Sequence, residues 1–219
     1  ALDVDASINT LIMGLFDQKY LNVGTRSEAK LGKTPLVEVA MALDTTGSMN
    51  QHGKISTMRN AARDLVETLF QTEDANVKIG VVPFAQYVNI GSEHGSESWL
   101  SNPGGAWMGC VGSRDYPYNT LDADYAVEKV PGLLGAQCPQ KLMALSTDDA
   151  ALDDMIGALG PNGWTYIPAG LTWAWNLLTP SAPFSEGVSY ETLEDEQGPK
   201  ALILMTDGEN TRAPDYPPH

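Results

Sequence analysis

Five oxygen-bearing side chains fall where they could share one cation: Asp44, Thr46 and Ser48 in the run Asp44-Thr45-Thr46-Gly47-Ser48, Thr165, and Asp207 in Thr206-Asp207-Gly208. Carboxylates and hydroxyls without histidine or cysteine suit a hard ion, namely magnesium, manganese or calcium. Magnesium keeps several of its waters, so a site with few protein ligands suits it. Along an extended loop Asp44, Thr46 and Ser48 project to one side, while Thr45 and Gly47 turn away or allow the bend. The competing reading is local: Thr165 caps a helix and Asp207 forms a turn. Capping alone does not explain why three separate segments deliver such residues at equivalent places.

The elements that must position these residues alternate in type. Leu36 to Leu43 is a nearly continuous apolar run broken by Glu38, as expected of a strand buried on both faces. After the loop 44–53, Ile55, Met58, Ala62, Leu65, Val66 and Leu69 mark one face of a helix of about four turns. Lys78 to Phe84 reads as a second buried strand and Val88 to Gly91 as a short edge strand. Thr147 to Leu159 is expected to be helical, with Asp148 and Asp149 favouring the helix dipole in the first turn. A helix over Ile167 to Leu178 follows, with Leu171, Trp175 and Leu178 on one face, and Ala201 to Met205 is a last apolar strand. Strands alternating with helices predict an α/β, Rossmann-like fold with a mostly parallel central sheet flanked by helices. In such sheets ligands bind beyond the carboxyl ends of the strands, at a switch in strand order. All the candidate ligand segments would lie on that edge.

Residues 36–219 are therefore read as the main domain. Residues 1–35 are expected to pack on it as a helix (Ile8, Leu11, Ile12, Leu15, Phe16) and a half-buried strand (Leu21, Val23, Thr25, Ser27, Ala29, Leu31). Residues 92–140, rich in Gly, Ser, Asn, Pro and aromatics, form a long ordered insertion. It holds both cysteines, Cys110 and Cys138. Two buried free thiols are one arrangement; a disulfide is preferred, since it would staple a loop with little core of its own and imply an oxidising compartment. The acidic stretch Glu191 to Glu196 is expected to be a solvated loop.

A formal charge of −15 and a sequence pI near 4.4 argue against nucleic acid or an anionic membrane surface as partner and favour attraction of cations. Apolar runs such as Leu11 to Phe16 are far shorter than the ~20 residues needed to span a bilayer. The chain opens on Ala1 with no charged segment leading into a hydrophobic one, so any targeting or anchoring segment is expected outside it.

The run Asp44-Thr45-Thr46-Gly47-Ser48 resembles the D-x-S/T-x-S signature of the metal-ion-dependent adhesion site in von Willebrand factor A domains. Thr165 and Asp207 are similar to that family's second- and third-loop ligands. The resemblance implies that Asp44 acts mainly through water while Thr46 and Ser48 coordinate directly. Thr165 and Asp207 would engage directly or through water, according to conformational state. It also implies one coordination position left open for a carboxylate from a partner protein. Leu43-Asp44-Thr45-Thr46-Gly47-Ser48-Met49, Val82-Pro83-Phe84, Gly109-Cys110, Cys138-Pro139, Leu171-Thr172-Trp173-Ala174-Trp175 and Leu204-Met205-Thr206-Asp207-Gly208-Glu209-Asn210 are similar to the TadG-like branch, of bacterial tight-adherence (Tad) pilus assembly. That likeness implies a periplasmic or cell-surface domain, tethered to the membrane by an N-terminal helix outside this segment. Pilus-assembly components would be among its partners. Such a domain continues with further strands and helices after Asp207, so either the sheet lacks a flank or these lie on a segment outside this chain.

Beside the metal loop, Trp164 and Tyr166 are candidates for partner contact. Trp173 and Trp175 are expected in core or insertion packing, and His52 is expected to be exposed and not a ligand. An enzymatic rival is a magnesium-dependent phosphotransferase of haloacid dehalogenase type with Asp44 as nucleophile, whose second Asp would fall where Thr46 stands. A third reading is a structural pilus component whose metal serves folding only.

Overall fold

The structure, a computed structural model, describes residues 2–9, 20–27, 34–71, 74–121, 123–196, 198–208 and 210–211. The chain separates into two units, 1–33 and 34–219. In the first, β1 (Leu2–Asn9) and β2 (Tyr20–Ser27) pair antiparallel, with Leu2 opposite Ser27 and Asn9 opposite Tyr20. The alternating run from Leu21 thus forms its strand. Ile8 does not begin a helix: Leu2, Val4, Ala6 and Ile8 alternate with polar neighbours, and this period of two pairs in register with β2. Residues 11–16 of the expected helix, and 28–31 of the expected strand, lie outside the described residues.

The second unit contains strands β3 (Val37–Asp44), β4 (Val77–Phe84), β5 (Val88–Asn89), β6 (Leu100–Ser101), β7 (Cys110–Val111), β8 (Val130–Pro131), β9 (Met143–Ser146) and β10 (Lys200–Met205). Its helices are α1 (Lys54–Phe70), α2 (Asp149–Gly157), α3 (Ile167–Leu178) and α4 (Tyr190–Glu196). The central sheet runs β10-β3-β4-β9; β10, β3 and β4 are parallel, and β9 is antiparallel to β4. This is a mixed α/β fold with a mostly parallel sheet flanked by helices. β9 is an unexpected edge strand, too short for periodicity to mark. Val88 and Asn89 pair with β7 of the insertion, and not with the central sheet.

Alternation along β3 and β4 divides the core. Val39, Met41, Leu43, Ile79 and Val81 pack against Ile55, Met58, Ala62 and Val66 of α1 and Leu152 and Ile156 of α2. Ala40, Ala42, Val82 and Phe84 face α3 through Ala169, Trp173, Ala174 and Leu177. Each large side chain so buried contributes roughly 1.5–3 kcal/mol. α3 lies close to the sheet, since a Cβ at Gly170 would overlap the Phe84 ring. That contact fixes the helix's rotation, placing Trp173 inside and leaving Trp175 49% exposed. Of the expected face, Leu178 is buried, Leu171 half-buried and Trp175 exposed; Trp175 lines a cavity with Arg114, Leu121 and Tyr125 of the insertion, so only its core packing is corrected.

The insertion has more core than its composition suggests. Trp99, Leu100, Trp107, Val111, Tyr125 and Val130 are buried in the same cluster as α3. Cys110 and Cys138 form a disulfide with Cα atoms 5.7 Å apart. The stretch Glu191 to Glu196, expected as a solvated loop, instead falls within α4, whose Leu193 is buried. At the base of the sheet Glu38 is fully buried, accepting from Lys200 Nζ at 2.7 Å and from Val188 N at 3.0 Å, with Lys78 Nζ at 3.4 Å. Among the described residues no helix is long and apolar enough to cross a membrane.

Candidate metal site

β3 sits between β4, which follows it, and β10, which arrives much later in sequence, so strand order switches at its carboxyl end. Pairing of Met205 with Leu43 brings the next residues, Thr206 and Asp44, alongside each other. Thr206 Oγ1 donates to Asp44 Oδ2 at 2.7 Å, and the Thr46 amide donates to Asp44 Oδ1 at 2.8 Å. Asp44 is therefore fully buried with both oxygens engaged.

The loop after Asp44 is extended only as far as Thr46; Gly47–Asn50 forms a 3-10 turn in place of the expected extended run. Thr45 turns toward β4, its amide and hydroxyl both donating to the Phe84 carbonyl at 2.9 and 3.0 Å. Thr46 and Ser48 turn the other way, with hydroxyl oxygens 3.1 Å apart. Ser48 Oγ donates to Asp207 Oδ1 at 2.9 Å across a sequence separation of 159 residues. Asp207 Oδ2 accepts from Lys54 Nζ at 2.5 Å. Asp44, Thr46, Ser48 and Asp207 thus belong to one polar cluster.

Thr165 lies on an adjoining loop and is buried. That loop is tied to the first by Asn162 N to Thr45 O at 2.6 Å and Gly47 N to Gly163 O at 2.9 Å. Thr165 is tied to the third segment as well, its amide donating to Thr211 Oγ1 and its carbonyl accepting from Thr211 N. Among the described residues, no side-chain hydrogen bond joins Thr165 to the other four. Nor does Thr165 cap α3: the cap position is Tyr166, whose own side chain makes no capping hydrogen bond, and the first amide of the helix, Ile167 N, is taken by Asn210 Oδ1 instead.

Burial tends to raise the Asp207 carboxyl, but hydrogen bonds from Lys54 and Ser48 outweigh it, so its pKa lies below the ordinary carboxylate value. Among the described residues no group of three or more His, Cys, Asp or Glu side chains could hold a metal. The cluster's donors are two carboxylates plus hydroxyls, a set that fits a hard cation retaining water and does not fit zinc.

Sequence reasoning missed Thr206, Lys54, Asn210 and Thr211. Lys54 had a readable signal: a cation opens α1 with no acidic residue in the first turn, against the helix dipole. Thr206 could have been placed from the strand register. Nothing local marked Asn210, whose Oδ1 accepts from Ile167 N at 2.8 Å, or Thr211.

Around the cluster, His52 is exposed and Trp164 is 55% exposed. Trp164, Gln86, Tyr87, Leu133 and Leu134 line an open groove of about 420 Å³. Tyr166 is half-buried, and burial pushes its phenol above the ordinary value against a hydrogen bond with Ser113 of the insertion.

No family model matches the chain, and a search of curated proteins finds no match. Among solved structures, the chain is similar to the vWF domain of the type V pili tip protein Mfa5 from Porphyromonas gingivalis, with 18% identity and a TM-score of 0.47 over 81% of this chain and 39% of that one. It is also similar to the pilus adhesin SpaC from Lactobacillus rhamnosus GG in an open conformation, with 15% identity and a TM-score of 0.44 over 81% of this chain and 15% of that one. The chain thus spans well under half the length of these structures.

Proposed function

We propose that this chain is a metal-dependent protein-binding domain of a bacterial surface or Tad pilus-assembly protein. Asp44, Thr46, Ser48, Thr165 and Asp207 would hold one divalent cation, magnesium first, with manganese or calcium as alternatives. When bound, the cation would offer a coordination position to an acidic side chain of a partner protein. The observation that carries this reading is the Ser48–Asp207 hydrogen bond, which joins two strand-end loops into one all-oxygen cluster at the switch point of the sheet.

The burial of Asp44 supports binding over nucleophilic chemistry. Both its oxygens accept hydrogen bonds and it is fully buried, which suits a carboxylate acting on the cation through water and not one that attacks a phosphoryl group directly. The disulfide fits a location outside the cytoplasm, as the sequence resemblance implies.

Isothermal titration with magnesium and manganese, in wild type and Asp44→Asn, tests the reading. Asparagine can still accept from the Thr46 amide and face the Thr206 hydroxyl, so the fold is expected to survive by circular dichroism. Binding heat is expected in the wild type and lost in the variant. Equal metal affinity in both proteins would overturn the ligand assignment. Should chelator lower thermal stability strongly yet leave partner binding intact, the folding-only metal would be favoured instead.

A further inference from the structure

The structure places a tethered ammonium on the candidate metal cluster. Lys54 is the first residue of α1, where its charge opposes the helix dipole and no first-turn carboxylate offsets it. Its Nζ reaches Asp207 Oδ2 at 2.5 Å, with side-chain exposures of 38% for Lys54 and 11% for Asp207. The other Asp207 oxygen accepts from Ser48, itself in contact with Thr46. A lysine at this position thus gains its partner from a carboxylate that also belongs to the ligand set. The pairing is long-range in sequence, 153 residues, so helix composition does not account for it.

We infer that Lys54 is an affinity-setting residue: its ammonium neutralises Asp207 in the metal-free domain and competes with a divalent cation for the same carboxylate. The inference rests on the metal-binding reading above. A cation entering the cluster must displace the ammonium from Oδ2 or accept a positive charge beside it. Either raises the metal concentration needed to load the site, while the ion pair keeps the empty cluster from being held open by anionic repulsion. The long, partly exposed stem lets the ammonium swing into water once displaced.

Lys54→Met keeps the apolar stem and removes the charge, whereas Lys54→Arg keeps the charge. Titration calorimetry with manganese and with magnesium, together with thermal unfolding in chelator, reads both halves of the inference. Lys54→Met is expected to bind metal about tenfold more tightly than wild type and to melt at a lower temperature in chelator. Lys54→Arg is expected to retain wild-type affinity and stability. Unchanged or weaker metal binding in a folded Lys54→Met protein would overturn the competition while leaving the metal site standing. An absence of binding in wild type and both variants at millimolar metal would overturn the site itself, and this inference with it. If Lys54→Met does not fold, Lys54→Gln serves the same comparison.

Discussion

Replacing Glu38 with glutamine removes the buried anion that fastens β10 to β3. Glu38 is fully buried, Lys200 is 8% exposed and Lys78 is 27% exposed. Lys200 Nζ also donates to the carbonyls of Leu178 and Val188 at 2.5 and 2.6 Å, so its ammonium is held in place when the carboxylate goes. A charge left buried with only dipolar partners costs about 3–5 kcal/mol. Lys78 can rotate into water, so the lower end applies. At roughly 2–4 °C per kcal/mol for a unit of this size, the melting temperature should fall by roughly 6–12 °C. The assay is thermal unfolding by circular dichroism in chelator, on Glu38→Gln, Lys200→Met, Glu38→Leu and the double variant Glu38→Leu/Lys200→Met. The double variant, with an apolar pair in place of the ions, should regain most of the loss. A drop of less than about 2 °C for Glu38→Gln, or losses that simply add in the double variant, would refute the reasoning. Because β10 delivers Thr206 and Asp207, Glu38→Gln should also weaken the proposed metal binding without touching a proposed ligand.

Reduction of the disulfide, or Cys110→Ser with Cys138→Ser, should cost about 3.6 kcal/mol, worked from the sequence separation of 28 residues. It should also make the insertion the first site of limited proteolysis, whereas a cleavage pattern identical to the oxidised protein would count against the staple. In acid, Asp207 has its folded pKa below its unfolded one, because the Lys54 and Ser48 hydrogen bonds outweigh burial. The stability it contributes is present above about pH 4, the ordinary carboxylate value, and is lost as pH falls through the lower folded value. Asp207→Asn in chelator should therefore be less stable than wild type near neutrality and show a flatter acid limb; parallel pH profiles would contradict this.

The alternation of Leu36 to Leu43 and Lys78 to Phe84 with helical runs was enough to specify an α/β sheet, because burial on both faces demands continuous apolar strands. Residue type and spacing likewise singled out Asp44, Thr46 and Ser48 as candidates, but it is the 3-10 turn Gly47–Asn50, and not extended alternation, that carries the Ser48 hydroxyl back to Thr46. Local reading failed wherever a partner lay far off in sequence. Glu38 reads as a flaw in an apolar strand until Lys200 and Val188 arrive from 150 or more residues away. The rotation of α3, and with it the exposure of Trp175, depended on Gly170 meeting Phe84, a contact no periodicity encodes. Lys54 could be seen to oppose its own helix, but only the register of β10 on β3 brings Asp207 within its reach. The sequence by itself determined the strands β3, β4 and β10 and the helices α1, α2 and α3, because their length and period are local; β1, β9 and α4 were not legible that way. Which oxygens meet, and which ammonium meets them, was decided by strand order, a property of the whole sheet.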